Sequence, residues 1–299
     1  MPSEHFPVGT PDGRQLEVLA AGPDDGLPLV FHPGTPSGLV APGPVIAAAS
    51  ARGLRTVMYS RPGYGGSTPQ PGRTVAAAAA DVAAILDHLA ADRFLTAGWS
   101  GGGPHALACA ALLPGRCLAA ASVAGVAPYQ AAGLDWLAGM GPENIEEFSA
   151  AAAGETTLTR FLAAASAEVS ELTGAGVAAA LGGLVSAADT AVLTGEFTDY
   201  LAASFRAAVR GGPAGWSDDD LAFVRDWGFA VTAVSVPVAI WQGDQDRMVP
   251  FGHGAWLAGQ VPGARAHLLP GEGHLTLISG MFGSILDDLL DLAGQARPT

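Results

Sequence analysis

A serine lies among glycines in LTAGWSGGGPHA (95–106), two aspartates lie in GDQDRMVP (243–250), and a histidine closes GEGH (271–274). These residue types could carry out nucleophilic acyl transfer, in which a hydroxyl attacks, an imidazole takes its proton and a carboxylate orients the imidazole. A serine hydroxyl alone is a weak nucleophile, so all three are required. Around Ser100 the spacing is G-x-S-x-G, with a strand read over Arg93–Ala97 and a helix over His105–Leu112. In a strand–turn–helix this sharp, side chains two residues either side of the serine would collide, which accounts for Gly98 and Gly102. The turn lifts the hydroxyl clear of the sheet and points the Gly101 amide into the space above it. A phosphate-binding loop is the rival reading. The chain contains no lysine and no G-x-G-x-x-G spacing at this point, which argues against one.

His274 is expected to be the base, with Asp244 or Asp246 orienting it. The preceding strand, in ASVAGVAPY (121–129), carries no carboxylate, so the acid must come from the GDQD loop. A turn aspartate such as Asp244 commonly binds only local amides. His5, His88, His253 and His267 stand away from a glycine loop after a strand. His105 reads as a buried helix residue and His32 as a structural hydrogen-bonding group. A tetrahedral oxyanion also needs two N–H donors. Gly101 offers one, and HPGTPSG (32–38) should offer the other. Pro33 and Pro36 have no N–H, leaving Gly34 and Thr35, of which Thr35 is favoured. The scheme calls for no cofactor and no metal.

These residues must be held by the elements between them. Strand-like runs at Gln15–Ala20, Pro28–His32, Arg55–Tyr59, Leu118–Val126, Val236–Trp241 and Arg265–Leu269 alternate with helical stretches. Helices are read at Pro44–Arg52, at Thr74–Ala91 with Thr74 as N-cap, and at Phe282–Leu292. This rhythm predicts an α/β fold with a doubly wound, mostly parallel sheet. Between Tyr129 and Gly228 the pattern turns helical almost throughout. Three segments are therefore expected: a core over 1–128, a helical lid over 129–228 laid on the sheet's C-terminal edge, and the rest of the core over 229–299.

Composition narrows the partners. The chain has 299 residues, 14 basic against 28 acidic, and a formal net charge of −14. Such a surface repels phosphate backbones and anionic membranes, so neither nucleic acid nor stable membrane association is expected. No apolar run is long enough to span a bilayer, and MPSEHFPVGT lacks the basic-then-apolar pattern of a signal peptide. Two cysteines, Cys109 and Cys117, read as small buried groups, and a cytoplasmic setting is expected.

The stretches PGTP (33–36), SRPGYGGS (60–67), GWSGGGPH (98–105), GDQDRMVP and GEGH together resemble the α/β-hydrolase superfamily, in particular lidded serine hydrolases with an HG-x-P oxyanion loop. The resemblance spans the chain except for the lid. It implies that the acid is the last residue of G-x-x-D, Asp246, and that the variable residue of HG-x-P, Thr35, donates to the oxyanion. Pro33 stands where the family often has histidine, and Ser60 where an aspartate usually opens the D-x-x-G-x-G-x-S turn. Relatives with aspartate at the elbow cleave C–halogen bonds or epoxides, whereas Ser100 implies acyl transfer to water. The expected substrate is a small ester or related acyl compound, as in carboxylesterases. Perhydrolases share the triad. Proline iminopeptidases, which grip an α-ammonium with lid carboxylates, and a non-catalytic ligand receptor on the same fold are the alternatives. Against the peptidase, Glu143, Glu146 and Glu147 have the spacing of a solvated helix face. Aromatic residues of the lid, among them Trp136, Phe161, Phe205 and Trp216, are expected to pack mostly as core, with a minority facing ligand.

Overall fold

Residues 94–99 (FLTAGW) and 117–123 (CLAAASV) are buried at every position, as strands covered on both faces must be. They form the centre of the sheet in a computed structural model that describes residues 3–295. In chain order the first part comprises β1 (Ser3–Gly9), β2 (Gln15–Ala21), β3 (Leu27–His32), α1 (Gly43–Ser50), β4 (Leu54–Tyr59), α2 (Ala77–His88), β5 (Phe94–Trp99), α3 (Gly102–Leu112) and β6 (Cys117–Val123). An insertion follows, with α4 (Pro142–Ala153), α5 (Glu155–Ser170), α6 (Val177–Leu181), α7 (Ala187–Val192), α8 (Gly195–Val209) and α9 (Ala214–Val224). The chain then returns to the sheet with β7 (Val238–Gly243), α10 (Phe251–Gln260), β8 (Arg265–Leu269), α11 (His274–Gly280) and α12 (Phe282–Gln295).

The eight strands lie in the order β1-β2-β4-β3-β5-β6-β7-β8. The β1–β2 and β2–β4 pairs are antiparallel and the remaining pairs parallel. Alternation along β3 sends Val30 to one face and Leu29 and Phe31 to the other. The first face packs on Val82 and Ile85 of α2, Leu107 of α3 and Leu257 of α10. The second packs on Val45 and Ala49 of α1 and on Ile285 and Leu289 of α12. Helices on both faces and a mostly parallel sheet are the predicted doubly wound architecture.

Three local expectations need correction. Strand β1 was not read from the sequence, because it is an edge strand with Val8 as its only buried residue and Pro7 in its middle. Helix α3 begins at Gly102, three residues before the predicted start, since Pro104 falls in the first turn, where its missing N–H costs nothing. Thr74 caps no helix: α2 starts at Ala77, and residues 74–76 form a turn in which Ala77 N–H donates to the Thr74 carbonyl.

Candidate active site

Thr35, Ser100, Asp246 and His274 follow the C-terminal ends of β3, β5, β7 and β8, so four connections deliver them to one edge of the sheet. At the β5–α3 turn Ser100 has φ +57°, a left-handed conformation that costs a non-glycine residue about 1–3 kcal/mol. Ser100 N–H donates to the Val123 carbonyl at 2.9 Å, and its own carbonyl accepts from Gly103 N–H at 2.9 Å. A Cβ on Gly98 would overlap the Gly102 carbonyl, and one on Gly102 would overlap the His32 carbonyl. Both glycines are therefore demanded by backbone contact.

His274 is 1% exposed, and its Nδ1–H donates to Asp246 Oδ2 at 2.8 Å. The same oxygen accepts Gln242 Nε2–H at 3.0 Å, while Oδ1 accepts Met248 and Val249 N–H at 2.9 and 2.8 Å. Asp246 is thus fixed by one side chain and two amides before it meets the imidazole. Burial alone would lower the His274 pKa, but the Asp246 charge and hydrogen bond outweigh it and raise the value above that of a free histidine. Trp99, next to Ser100, donates its indole N–H to the His274 carbonyl at 3.2 Å. Asp244 is exposed and accepts Gly271 N–H and Gln245 Nε2–H, so it braces the loop locally.

Thr35 lies against Gly101, where a Cβ would overlap the threonine side chain, and Gly34 lies against Ser100. Neither Thr35 nor Gly101 N–H enters a backbone hydrogen bond among the described residues. The two departures from the family motifs are accommodated. Pro33 offers its carbonyl to Arg61 Nη1–H at 2.8 Å, and Ser60 Oγ–H donates to Glu17 Oε2, which also accepts Gly66 N–H. A carboxylate thus serves this turn from β2.

Three other histidines have structural surroundings, whereas His5 and His88 are exposed. His105 Nδ1 faces the Gly101 carbonyl at 2.8 Å, and burial, with Arg61 nearby, pushes its pKa down to about 3. Burial likewise holds His32 neutral, with Nε2 3.8 Å from Cys109 Sγ. His253 accepts Ala127 N–H, and its Nε2 meets the Trp136 carbonyl. No group of three or more His, Cys, Asp or Glu side chains arranged to hold a metal ion occurs among the described residues.

Ser100, His274 and Thr35 share a cavity of about 310 Å³ whose far wall comes from the insertion. Phe161, Phe205 and Trp216 line it, while Trp136, Phe148 and Trp227 are core. The expectation for α4 is corrected here, because Glu143, Glu146 and Glu147 all line this cavity and only Glu146 is exposed. Glu143 accepts Gly183 N–H at 2.7 Å, and Glu147 accepts the Trp216 indole N–H at 2.7 Å. Fully buried Asp220 faces Glu147. Burial first, and then the Glu147 charge, push the Asp220 carboxyl well above the usual range, while burial also raises Glu147.

Sequence reasoning missed Asp219. It lies on α9, is 0% exposed, and joins the insertion to the oxyanion loop. Its Oδ2 accepts Arg61 Nη2–H at 2.6 Å, Thr35 Oγ1–H at 2.7 Å and Tyr64 O–H at 2.9 Å, and Oδ1 accepts Arg73 Nη2–H at 2.6 Å. Arg61 also donates to the carbonyls of Pro33 and Gly34. Burial would push the Asp219 carboxyl up, but Arg61 and Arg73 outweigh it and hold it well below the carboxylate range. Asp219→Ala leaves two buried guanidinium groups without their counter-ion and should cost about 3–5 kcal/mol. A denaturation midpoint equal to that of the wild type would show that the pairs carry no net stability.

The chain belongs to the alpha/beta hydrolase fold family, whose sequence profile matches residues 28–280. Among particular proteins, it is 34% identical over 148 residues to a non-heme chloroperoxidase of Streptomyces lividans, a match covering 49% of this chain and 54% of that one. The match therefore spans about half the length of this relative. An alpha/beta hydrolase fold protein from Nakamurella multipartita superposes with TM-score 0.66 at 25% identity, covering 97% of this chain and 100% of that one. A thermophilic esterase from Thermogutta terrifontis gives TM-score 0.67 at 18% identity, with coverage of 97% and 99%, a likeness of fold alone. No helix among the described residues is long and apolar enough to cross a membrane.

Proposed function

We propose that the protein is a serine hydrolase that cleaves small, uncharged acyl substrates, esters foremost, through an acyl-enzyme on Ser100. The observation that carries this reading is the 2.8 Å contact between Asp246 and His274, on the cavity that Ser100 enters from a strained turn. Ser100 Oγ attacks the acyl carbon as His274 Nε2 takes its proton. The oxyanion is held by the N–H groups of Thr35 and Gly101. Collapse expels the alcohol, which receives the proton from His274. Water, deprotonated in turn by His274, then releases the acid and restores the serine. The insertion over 129–228 acts as a lid whose acidic wall disfavours anionic substrates. Free, buried Cys109 and Cys117 suit a reducing, cytoplasmic setting. The name of the Streptomyces relative fits the same site if peroxide takes the place of water at the acyl-enzyme.

The glutamates on the cavity favour one second reading, an aminopeptidase gripping a free ammonium. Glu143 and Glu147 already accept N–H groups from Gly183 and Trp216, so much of this wall is internally engaged. A site built for an ammonium would reject uncharged substrates strongly, because its buried acids would be left unpaired. Neutral short-chain aryl esters should therefore be hydrolysed, and aryl hemisuccinates and proline arylamides poorly, in a comparison of kcat/KM across the three. Efficient turnover of a free-amine proline amide, abolished by N-acetylation, moves the assignment to a peptidase.

A further inference from the structure

The insertion reaches the site a second time, through a residue the proposed mechanism leaves unused. Asp189, on α7, is 0% exposed and lies behind the loop that carries His274. Ser186 Oγ accepts Asp189 N–H at 3.2 Å and Asp189 Oδ2 accepts Ser186 N–H at 3.4 Å, the reciprocal cap of α7, and Oδ2 also accepts the Ser186 hydroxyl at 2.9 Å. Its Oδ1 points out of the insertion. That oxygen accepts Leu275 N–H at 2.7 Å and Thr276 N–H at 3.3 Å, the two amides that follow His274. The residue before the histidine is shaped by the same contact, since a Cβ on Gly273 would overlap the Asp189 carboxylate. The glycine of GEGH is therefore demanded by a side chain of the insertion.

We propose that Asp189 is a positioning residue for His274, holding the two amides that follow the histidine and packing against the glycine before it. This rests on the reading of His274 as the base. Asp246 sets the rotation of the ring through Nδ1, but the placement of the ring relative to Ser100 depends on where the backbone at 273–276 sits. Asp189 holds that backbone. An anion here also stabilises the imidazolium that forms as Ser100 loses its proton. The other charged groups around His274 are Asp246 at its Nδ1, Glu272 two residues earlier in the loop, and Glu143, Glu146, Glu147 and Glu168 on the shared cavity. All remain when Asp189 is changed.

The base must be neutral to act, so activity falls as pH drops through the His274 pKa. Both Asp246 and Asp189 raise that pKa. Removing the Asp189 charge should move the acid limb to lower pH, although the best rate falls.

The test uses the full chain as wild type, Asp189→Asn and Ser186→Ala, with an aryl acetate as substrate and a fluorophosphonate to count active Ser100. For Asp189→Asn we expect kcat per labelled site to fall about 10- to 100-fold, the scale of a sub-ångström to 1 Å misplacement, with KM little changed. The midpoint of the acid limb should shift to lower pH. A lower melting temperature with kcat per labelled site and midpoint both at wild-type values overturns the proposal, as does no change at all. If Asp189→Asn fails to fold, Ser186→Ala carries the test. It leaves the charge but removes one group that holds it, so kcat should fall several-fold with the midpoint unmoved, and a wild-type kcat overturns the positioning role. Failure of the underlying reading looks different: wild-type Ser100 is then not labelled, or His274→Ala labels as fast as wild type, and the proposal falls with it.

Discussion

Ser100→Ala is expected to abolish fluorophosphonate labelling and to lower kcat for an aryl ester by about 10⁶-fold, with His274→Ala nearly as severe. The two should not add, because hydroxyl and base act as one unit and removing either ends covalent catalysis. What remains is the contribution of the oxyanion donors and of binding. The experiment also separates enzyme from receptor. A ligand-binding protein has no need of a serine held at φ +57° beside a histidine paired to a buried carboxylate. Intact-mass measurement after labelling should give one adduct per chain in the wild type and none in Ser100→Ala. A well-folded wild type that takes no label would make the receptor the better reading.

Asp246→Asn is expected to lower kcat by about 10⁴-fold without unfolding the chain, while Asp244→Asn should cost a few-fold at most. Asparagine can keep the contacts of Met248 and Val249 N–H to its carbonyl oxygen. Its amide group would then face His274 Nδ1, favour the tautomer protonated at Nε2, and leave no acceptor there for the Ser100 proton. Among the described residues the Asp244 carboxylate accepts hydrogen bonds only from Gln245 and Gly271, so its loss loosens the loop without altering the imidazole. Steady-state kinetics of the two variants on one substrate decide the matter. The reverse order of effects would mean that the orienting acid lies two residues earlier than proposed.

Much of the scaffold was legible because its determinants are local. The buried runs of β5 and β6, the glycines flanking Ser100 and the loops after β7 and β8 announce themselves within a few residues of sequence. The failures share a different cause. Edge strand β1 buries one side chain, too little to leave a period-two pattern. The glutamates of α4 have the same spacing whether they face water or a cavity, and only the approach of Trp216 and Asp220 decides. Asp219 is bonded to Arg61 and Arg73, 158 and 146 residues away, so its partners cannot be read from its own neighbourhood in the chain. One signal was available. Asp218, Asp219 and Asp220 are consecutive on a helix, where successive side chains diverge by about 100°, so three acids in a row cannot all face solvent if the helix packs. Asp189 left another, the Ser186-x-x-Asp189 spacing of a capping box.

The contacts of Asp219 bear on how this protein can be recombined. Arg61 and Arg73 belong to the sheet side of the molecule, and their shared anion arrives on α9. A chimaera that grafts a foreign set of helices between β6 and β7 would strand both cations in the interior and release the Thr35 hydroxyl. Swapping the cover alone to alter selectivity should therefore yield insoluble or inert chains, unless a carboxylate is kept at the position of Asp219. Conversely, Arg61, Arg73, Thr35 and Asp219 transplanted as a quartet should allow the remainder of the insertion to be exchanged.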